Sequence, residues 1–240
     1  MSVKSILVSQ PKPTGDKSPY FDLAEKYNLK IDFRPFIHVE GVDVQEFRQQ
    51  RVNLEDFGAV ILTSKTAVDH YFRIAEEVRF TVPDSMKYFC MSEAVAYYLQ
   101  KYVTYRKRKI FYGKTTIDDL TDSIKKHKTE KFLLPCSDIL RKKIPDALEK
   151  IKIDFSSSVL YRTVASDLSD LEDVKYDVLV FFSPSGIESL LKNFPDFKQN
   201  STKIAAFGPT TAQALEKNKL RLDIHAPQPK APSMTMAIEQ

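Results

Sequence analysis

The sequence predicts an α/β protein built as two doubly wound domains, each with a mainly parallel sheet of five strands flanked by helices. Three observations predict it. Short apolar runs of strand character alternate with amphipathic helical stretches every 20 to 30 residues, the pattern of parallel sheets covered by helices. Ten such runs occur, too many for one small sheet and right for two of five. The halves also echo one another. Residues 59–64 and 88–92 match 178–183 and 204–208 in character, with turn residues 28 and 25 positions apart, as expected of two domains of similar design.

Along the chain, residues 5–9 form an apolar run closed by Gln10-Pro11-Lys12-Pro13, a buried strand and its loop. Ser18-Pro19 pairs a helix cap with proline at the first helical position, and Tyr20, Leu23, Ala24 and Tyr27 share one face of the helix behind it. Residues 29–33 read as the second strand, and 34–39 continue extended, with Pro35 marking an edge or connector. A helix over 44–51 follows. The run 59–64 leads into a helix with Ala67, Val68, Tyr71, Phe72 and Ala75 spaced for burial, and 88–92 leads into a helix over 93–101. The basic run Arg106-Lys107-Arg108-Lys109, before the strand at 110–112, reads either as a contact for an acidic ligand or as a solvated strand end. Next come a helix over 116–127, a strand over 131–135, and a helix over 137–150 interrupted at Pro145. Residues 159–164 are β-rich and 166–170 read as a linker. Strands at 178–182 and 204–207 each have a helix behind them. The last strand is at 222–225, and a final helix begins at Ser233.

Composition narrows the function classes. Of the 240 residues, 42% are hydrophobic and 28% charged, an ordinary soluble globular balance. The net charge of +4 does not demand nucleic acid and leaves an acidic small molecule open. Cys90 and Cys136 have no CxxC spacing and no neighbouring His, so they read as buried thiols in a reducing compartment, with no metal site. The N-terminal Met1-Ser2-Val3-Lys4-Ser5 enters a strand rather than a signal-peptide core. No apolar run is long enough to span a bilayer, so the expected location is the cytoplasm.

The first two strands have no sequence neighbours to complete a sheet unless the late strands return to them. Residues 1–36 with 167–240 therefore form one discontinuous domain and 45–155 the other, with 37–44 and 156–166 as a two-strand linker. Such a tether permits hinging, with a site in the cleft facing helix N-termini from both domains.

Two stretches carry the chemistry: Phe181-Phe182-Ser183-Pro184-Ser185-Gly186, and Lys203 through Phe207-Gly208-Pro209-Thr210-Thr211-Ala212. Each is a strand that stops at a small residue and restarts as a helix with proline at its first position. Such a turn presents backbone N–H groups and hydroxyls to an anion, or simply starts a helix cleanly. Lys203 reads as a partner for a carboxylate or as a solvated strand start. The four histidines, His38, His70, His127 and His225, are scattered singly, and no catalytic His/Cys/Asp cluster is visible.

With Ile61-Leu62-Thr63-Ser64, Ala67-Val68 and Tyr161-Arg162-Thr163-Val164 added in order, the chain resembles the uroporphyrinogen-III synthase family along nearly its whole length. The resemblance implies two flavodoxin-like domains, with parallel five-stranded sheets flanked by helices, joined by a two-stranded β linker. It implies a monomer with no cofactor and no metal. The substrate is hydroxymethylbilane, a linear tetrapyrrole with eight carboxylates. Loss of water gives an azafulvene, ring D attacks through its substituted position to form a spiro intermediate, and reclosure with ring D inverted gives uroporphyrinogen III. Tyr161 matches the family's candidate acid for the leaving hydroxyl; otherwise it is a tyrosine packed on a connector strand. Thr63, Ser64, Ser92, Ser183, Ser185, Gly186, Gly208, Thr210 and Thr211 stand where the substrate would be held. The run Met91-Ser92-Glu93-Ala94-Val95-Ala96 departs from the family's glycine and threonine: Val95 donates no side-chain hydrogen bond and Glu93 adds negative charge, so either Glu93 points away or contacts there come from Ser92 and backbone.

A different class of reading is a non-enzymatic two-domain module sensing a tetrapyrrole or nucleotide, since doubly wound domains serve many roles. It is told apart by ligand binding without isomer change. A nucleotide-dependent enzyme is disfavoured by the lack of GxGxxG and GxxxxGK[ST], with only six glycines present.

Overall fold

The computed structural model describes residues 3–140, 142–171 and 175–240. Met1 and Ser2, part of the N-terminal segment read above, and Arg141, within the expected helix over 137–150, lie outside the described residues. The chain enters through β1 (Ser5–Val8), α1 (Pro19–Tyr27), β2 (Lys30–Phe33) and β3 (Ile37–Gly41), then α2 (Val44–Gln49). There follow β4 (Ala59–Leu62), α3 (Lys65–Glu77), β5 (Lys87–Cys90), α4 (Glu93–Leu99), β6 (Ile110–Tyr112), α5 (Thr121–Lys125) and β7 (Phe132–Ser137). Then come α6 (Lys143–Lys150), β8 (Phe155–Ala165), β9 (Val178–Phe181), α7 (Pro184–Asn193), β10 (Lys203–Phe207), α8 (Pro209–Lys217), β11 (Ile224–Ala226) and α9 (Met234–Glu239).

Two compact units result, Met1–His38 with Val164–Gln240, and Val39–Thr163. The first holds a parallel sheet in the order β11-β10-β9-β1-β2. Numbered within the unit that is 2-1-3-4-5, the flavodoxin order. Its strands are apolar on both faces because helices cover both. Leu7, Leu179, Phe181 and Ile204 pack with Ile187, Leu190 and Leu215 on one side. Ile6, Val8, Val178 and Val180 pack toward Met234 and Ala237 on the other.

The second unit's sheet runs β3-β8-β7-β4-β5-β6. From β4 the chain goes out through β5 and β6 on one side and through β7 and β8 on the other, all parallel. This sheet carries six strands instead of five because β3 adds to its edge. Bonds from Ser166 N–H to the Phe36 carbonyl (2.9 Å) and from Val42 N–H to the Leu160 carbonyl (2.9 Å) run it antiparallel to β8. The glutamine amide of Gln50 imitates one more strand partner, accepting from Val159 N–H at 2.9 Å and donating to the Val159 carbonyl at 2.8 Å.

Two expected helices are shorter than their periodicity suggests. The expected helix over 137–150 begins only at Lys143, because the backbone before it stays with the sheet: Asp138 N–H bonds the Tyr161 carbonyl at 3.2 Å. Pro145 interrupts nothing, since it falls in the first turn, where a missing N–H is not needed. The expected helix over 116–127 divides into a 3₁₀ turn, Ile117–Leu120, and α5.

Candidate functional site

In the second sheet the switch point lies between β4 and β7, where the chain has gone to opposite sides. Doubly wound sheets hold ligands in the crevice outside the carboxyl ends of strands at such a point. Here that place is a cavity of about 610 Å³, reached by Thr63 and Ser64 after β4, Met91 after β5, Cys136 and Ser137 of β7, and Tyr161 of β8. Thr115, Thr116, Ile117, Ile139, Leu140, Lys143 and Ile144 complete its wall.

Each side chain is there for a local reason. Ser64 stops the strand and caps α3, its Oγ accepting the Ala67 N–H at 3.1 Å. A capping serine spends a lone pair on the helix and keeps its O–H to donate. Tyr161 is half-buried, and burial pushes its phenol above the ordinary value of 10. The neighbouring Ser64 hydroxyl pulls the other way, Cys136 adds to the rise, and Thr63 again opposes it. The result is a phenol that keeps its proton at neutral pH, with two hydroxyls placed to steady the oxyanion if the proton leaves. Cys136 is inert: burial pushes its thiol to about 11, and it donates to the Ser158 carbonyl at 3.3 Å. Cys90 is also buried, its thiol raised to about 12.

Asp119 occupies a backbone nest formed in part by Thr115 and Thr116 of the cavity wall. One carboxylate oxygen accepts N–H groups from Lys114 (3.2 Å), Thr115 (3.1 Å) and Thr116 (2.9 Å) and the Thr116 hydroxyl (3.1 Å). These bonds hold its pKa down to about 2. Those N–H groups are therefore already spoken for by an internal anion.

Of the residues singled out from sequence, Thr63, Ser64 and Tyr161 come together. Ser92 caps α4, accepting from Val95 N–H at 3.4 Å, and is not among the residues lining the cavity. Glu93 is exposed and accepts from the Tyr112 hydroxyl at 3.4 Å, and Val95 is buried, so the departure from the family pattern does not put a carboxylate in the cavity.

In the first unit the remaining residues sit at the carboxyl ends of neighbouring strands. Ser183 caps α7, its Oγ accepting Gly186 N–H at 3.3 Å. Gly186 is buried, and a Cβ there would come 3.3 Å from the Phe181 ring, so it serves close packing of helix on strand. Ser185 stands beside it, half-buried. Gly208 starts α8 at φ 84°, with no side-chain cap. The N–H groups of Thr210 and Thr211 in that first turn therefore keep the orphan donors of a helix start. Thr210 is exposed, but Thr211 is buried.

Sequence reasoning missed four contributors: His70, Arg73, Asp119 and Lys143. His70 lies on Tyr161, ring centroids 5.1 Å apart and planes 19° apart. Arg73 holds His70 through Nε at 3.1 Å. The i, i+3 spacing of His70 and Arg73 marks neighbours on one helix face, but nothing in it points to a residue 91 positions later. The basic run before β6 lies at the other end of this sheet, where Arg106 pairs with Asp84 at 3.5 Å. Among the described residues no group of three or more His, Cys, Asp or Glu is placed to hold a metal ion. No helix among them is long and apolar enough to cross a membrane.

Residues 19–236 match the model of the family described as Uroporphyrinogen-III synthase HemD. The chain belongs to that family. It is 29% identical over 137 residues to the uroporphyrinogen-III synthase of Saccharomyces cerevisiae, a match covering 51% of this chain and 50% of the yeast protein, so it spans about half the length of that relative. Among solved structures it is similar to uroporphyrinogen-III synthetase from Helicobacter pylori, with TM-score 0.61, 18% identity, and coverage of 98% of this chain and 97% of that one. A uroporphyrinogen III synthase mutant from Thermus thermophilus gives 0.53 at 16% identity, with 98% and 97% covered. At such identities these structures speak for the fold, and the two-unit α/β fold of parallel sheets is the one a uroporphyrinogen-III synthase family member was expected to have.

Proposed function

We propose that this protein is a uroporphyrinogen-III synthase, a cyclising hydro-lyase that converts hydroxymethylbilane to uroporphyrinogen III with loss of water and inversion of ring D. One observation carries the reading: in a chain matching that family over residues 19–236, the switch-point cavity brings Tyr161 together with Thr63 and Ser64. Ionisation of the ring A hydroxymethyl group breaks its C–O bond as the pyrrole nitrogen pushes in its lone pair to form the azafulvene, and the leaving hydroxide needs a proton. Tyr161 supplies it, and the Ser64 and Thr63 hydroxyls steady the phenolate until the proton lost from ring D restores the phenol. The phenol's raised pKa makes it a modest acid, so most of the rate comes from holding the bilane wrapped with its ends in register. The helix starts carrying Ser183 and Ser185, and Gly208 and Thr210, together with Ser92, are assigned to the substrate's acetates and propionates. Lys143 adds a cation at the cavity wall. The family resemblance supports a monomer acting in the cytoplasm without a cofactor, on a small-molecule substrate.

The test is product isomer analysis. Purified protein is fed enzymatically generated hydroxymethylbilane with chelator present and no cofactor added, and the uroporphyrins are separated after oxidation. Predominant isomer III is expected, and Tyr161→Phe is expected to lower kcat by about 10²-fold, the low end for general acid catalysis. Isomer I at the uncatalysed rate sinks the enzyme reading and leaves a binding module.

A further inference from the structure

The residues that hold Tyr161 are built as carefully as the tyrosine itself. The imidazole of His70 lies nearly parallel to the phenol ring, 5.1 Å away at 19°. Its Nδ1 accepts from Arg73 Nε at 3.1 Å, which requires Nδ1 to be unprotonated and fixes the Nε2–H tautomer. Burial, then the neighbouring guanidinium, hold His70 below its ordinary pKa, in keeping with a neutral ring. The other end of the same guanidinium binds the strand that carries Tyr161. Nη2 donates to the Leu160 carbonyl at 3.1 Å and to the Val42 carbonyl at 2.8 Å, while Nη1 meets Glu77 at 2.9 Å. Arg73 thus grips both the ring stacked on Tyr161 and the peptide just before it. Room for this grip is provided by Gly41, where a Cβ would come within 2.7 to 2.9 Å of the guanidinium.

The support is needed at this point of the sheet. The ladder between β7 and β8 is regular up to Cys136, then slips, so that Ser137 pairs with Tyr161 across an irregularity. A strand whose register shifts at a bulge orients its side chain less firmly than a regular ladder does, and a phenol that delivers a proton must be held in one direction. We propose that His70 and Arg73 are positioning residues for Tyr161: the arginine locks the imidazole and the strand, and the stacked imidazole locks the phenol toward Thr63 and Ser64. The proposal rests on the reading of Tyr161 as the proton donor.

The test compares kcat and KM for hydroxymethylbilane in the full-length protein and its variants. His70→Ala lowers kcat by about tenfold, within what a misplaced catalytic group costs, and leaves KM within about twofold. His70→Phe keeps a flat ring on the phenol and recovers most of the loss. Gly41→Ala, which touches neither ring, reproduces the kcat loss by displacing the guanidinium. His70→Ala placed on Tyr161→Phe adds nothing further, because the two act as one unit. Unchanged kcat in His70→Ala alongside a large loss in Tyr161→Phe overturns the positioning role and leaves the tyrosine's role standing. Full kcat in Tyr161→Phe overturns both. Equal losses in His70→Ala and His70→Phe, or losses that add in the double variant, also overturn it.

Discussion

At the scale of single residues, Asp119 shows how an apparent ligand site can be a structural one. The N–H groups of Lys114, Thr115 and Thr116 converge as they would on a bound anion, and the chain supplies that anion itself. Gly113 lets the carboxylate in, since a Cβ there would lie 2.8 Å from that of Asp119. A folded-state pKa of about 2 against an ordinary 3.8 means the carboxylate's stabilisation is fully present above about pH 4 and is lost as pH falls through about 2. Asp119→Asn should therefore be less stable than the parent at pH 7, with the gap closing toward pH 2, as read by chemical unfolding across that range. A pH-independent gap would assign the loss to packing instead. Ser64 was legible from sequence as a helix start, because a hydroxyl between an apolar run and a helix commonly caps it. His70 was not visible: a lone histidine acquires meaning only from the ring it lies on.

At the scale of elements, the starts of α7 and α8 differ in a way their shared proline conceals. Ser183 spends its side chain on the helix, whereas Gly208 has none to spend. Gly208 sits at φ 84° and ψ 155°, a region open essentially to glycine, and nothing lies within 4 Å of where a Cβ would stand. Gly208→Ala is thus a backbone substitution only, expected to cost about 1–3 kcal/mol. Denaturant unfolding checks it, and a loss below a few tenths of a kcal/mol would show that the turn relaxes. Strand and helix identities were largely legible because apolar runs and caps are local signals. Lengths were less so. β8 runs from Phe155 to Ala165, well beyond its β-rich middle, because β7 and β3 pair with its polar ends.

For the whole molecule, each unit carries its own cores. Phe89 is fully buried in the second unit, its ring 4.9 Å from Phe111 and 5.2 Å from Phe132. Phe89→Ala should cost about 3–5 kcal/mol, the loss of transfer energy plus an unfilled cavity. Hydrogen exchange should show protection falling across β4, β5 and β7 while β1, β9 and β10 retain theirs. Equal loss in both sheets would mean the units unfold as one.

By itself the sequence determined what short-range chemistry determines: alternating strands and helices, capped helix starts, and two sheets' worth of apolar runs. Hydrophobic period and cap residues act within a few positions, so they can be read along the chain. Tertiary structure alone decided that β3 joins the second sheet, that the cavity opens between β4 and β7, that Thr211 is buried, and that His70 and Arg73 reach Tyr161. Those facts depend on pairing and packing between residues dozens of positions apart, where the free energy of a contact leaves no local trace in either partner.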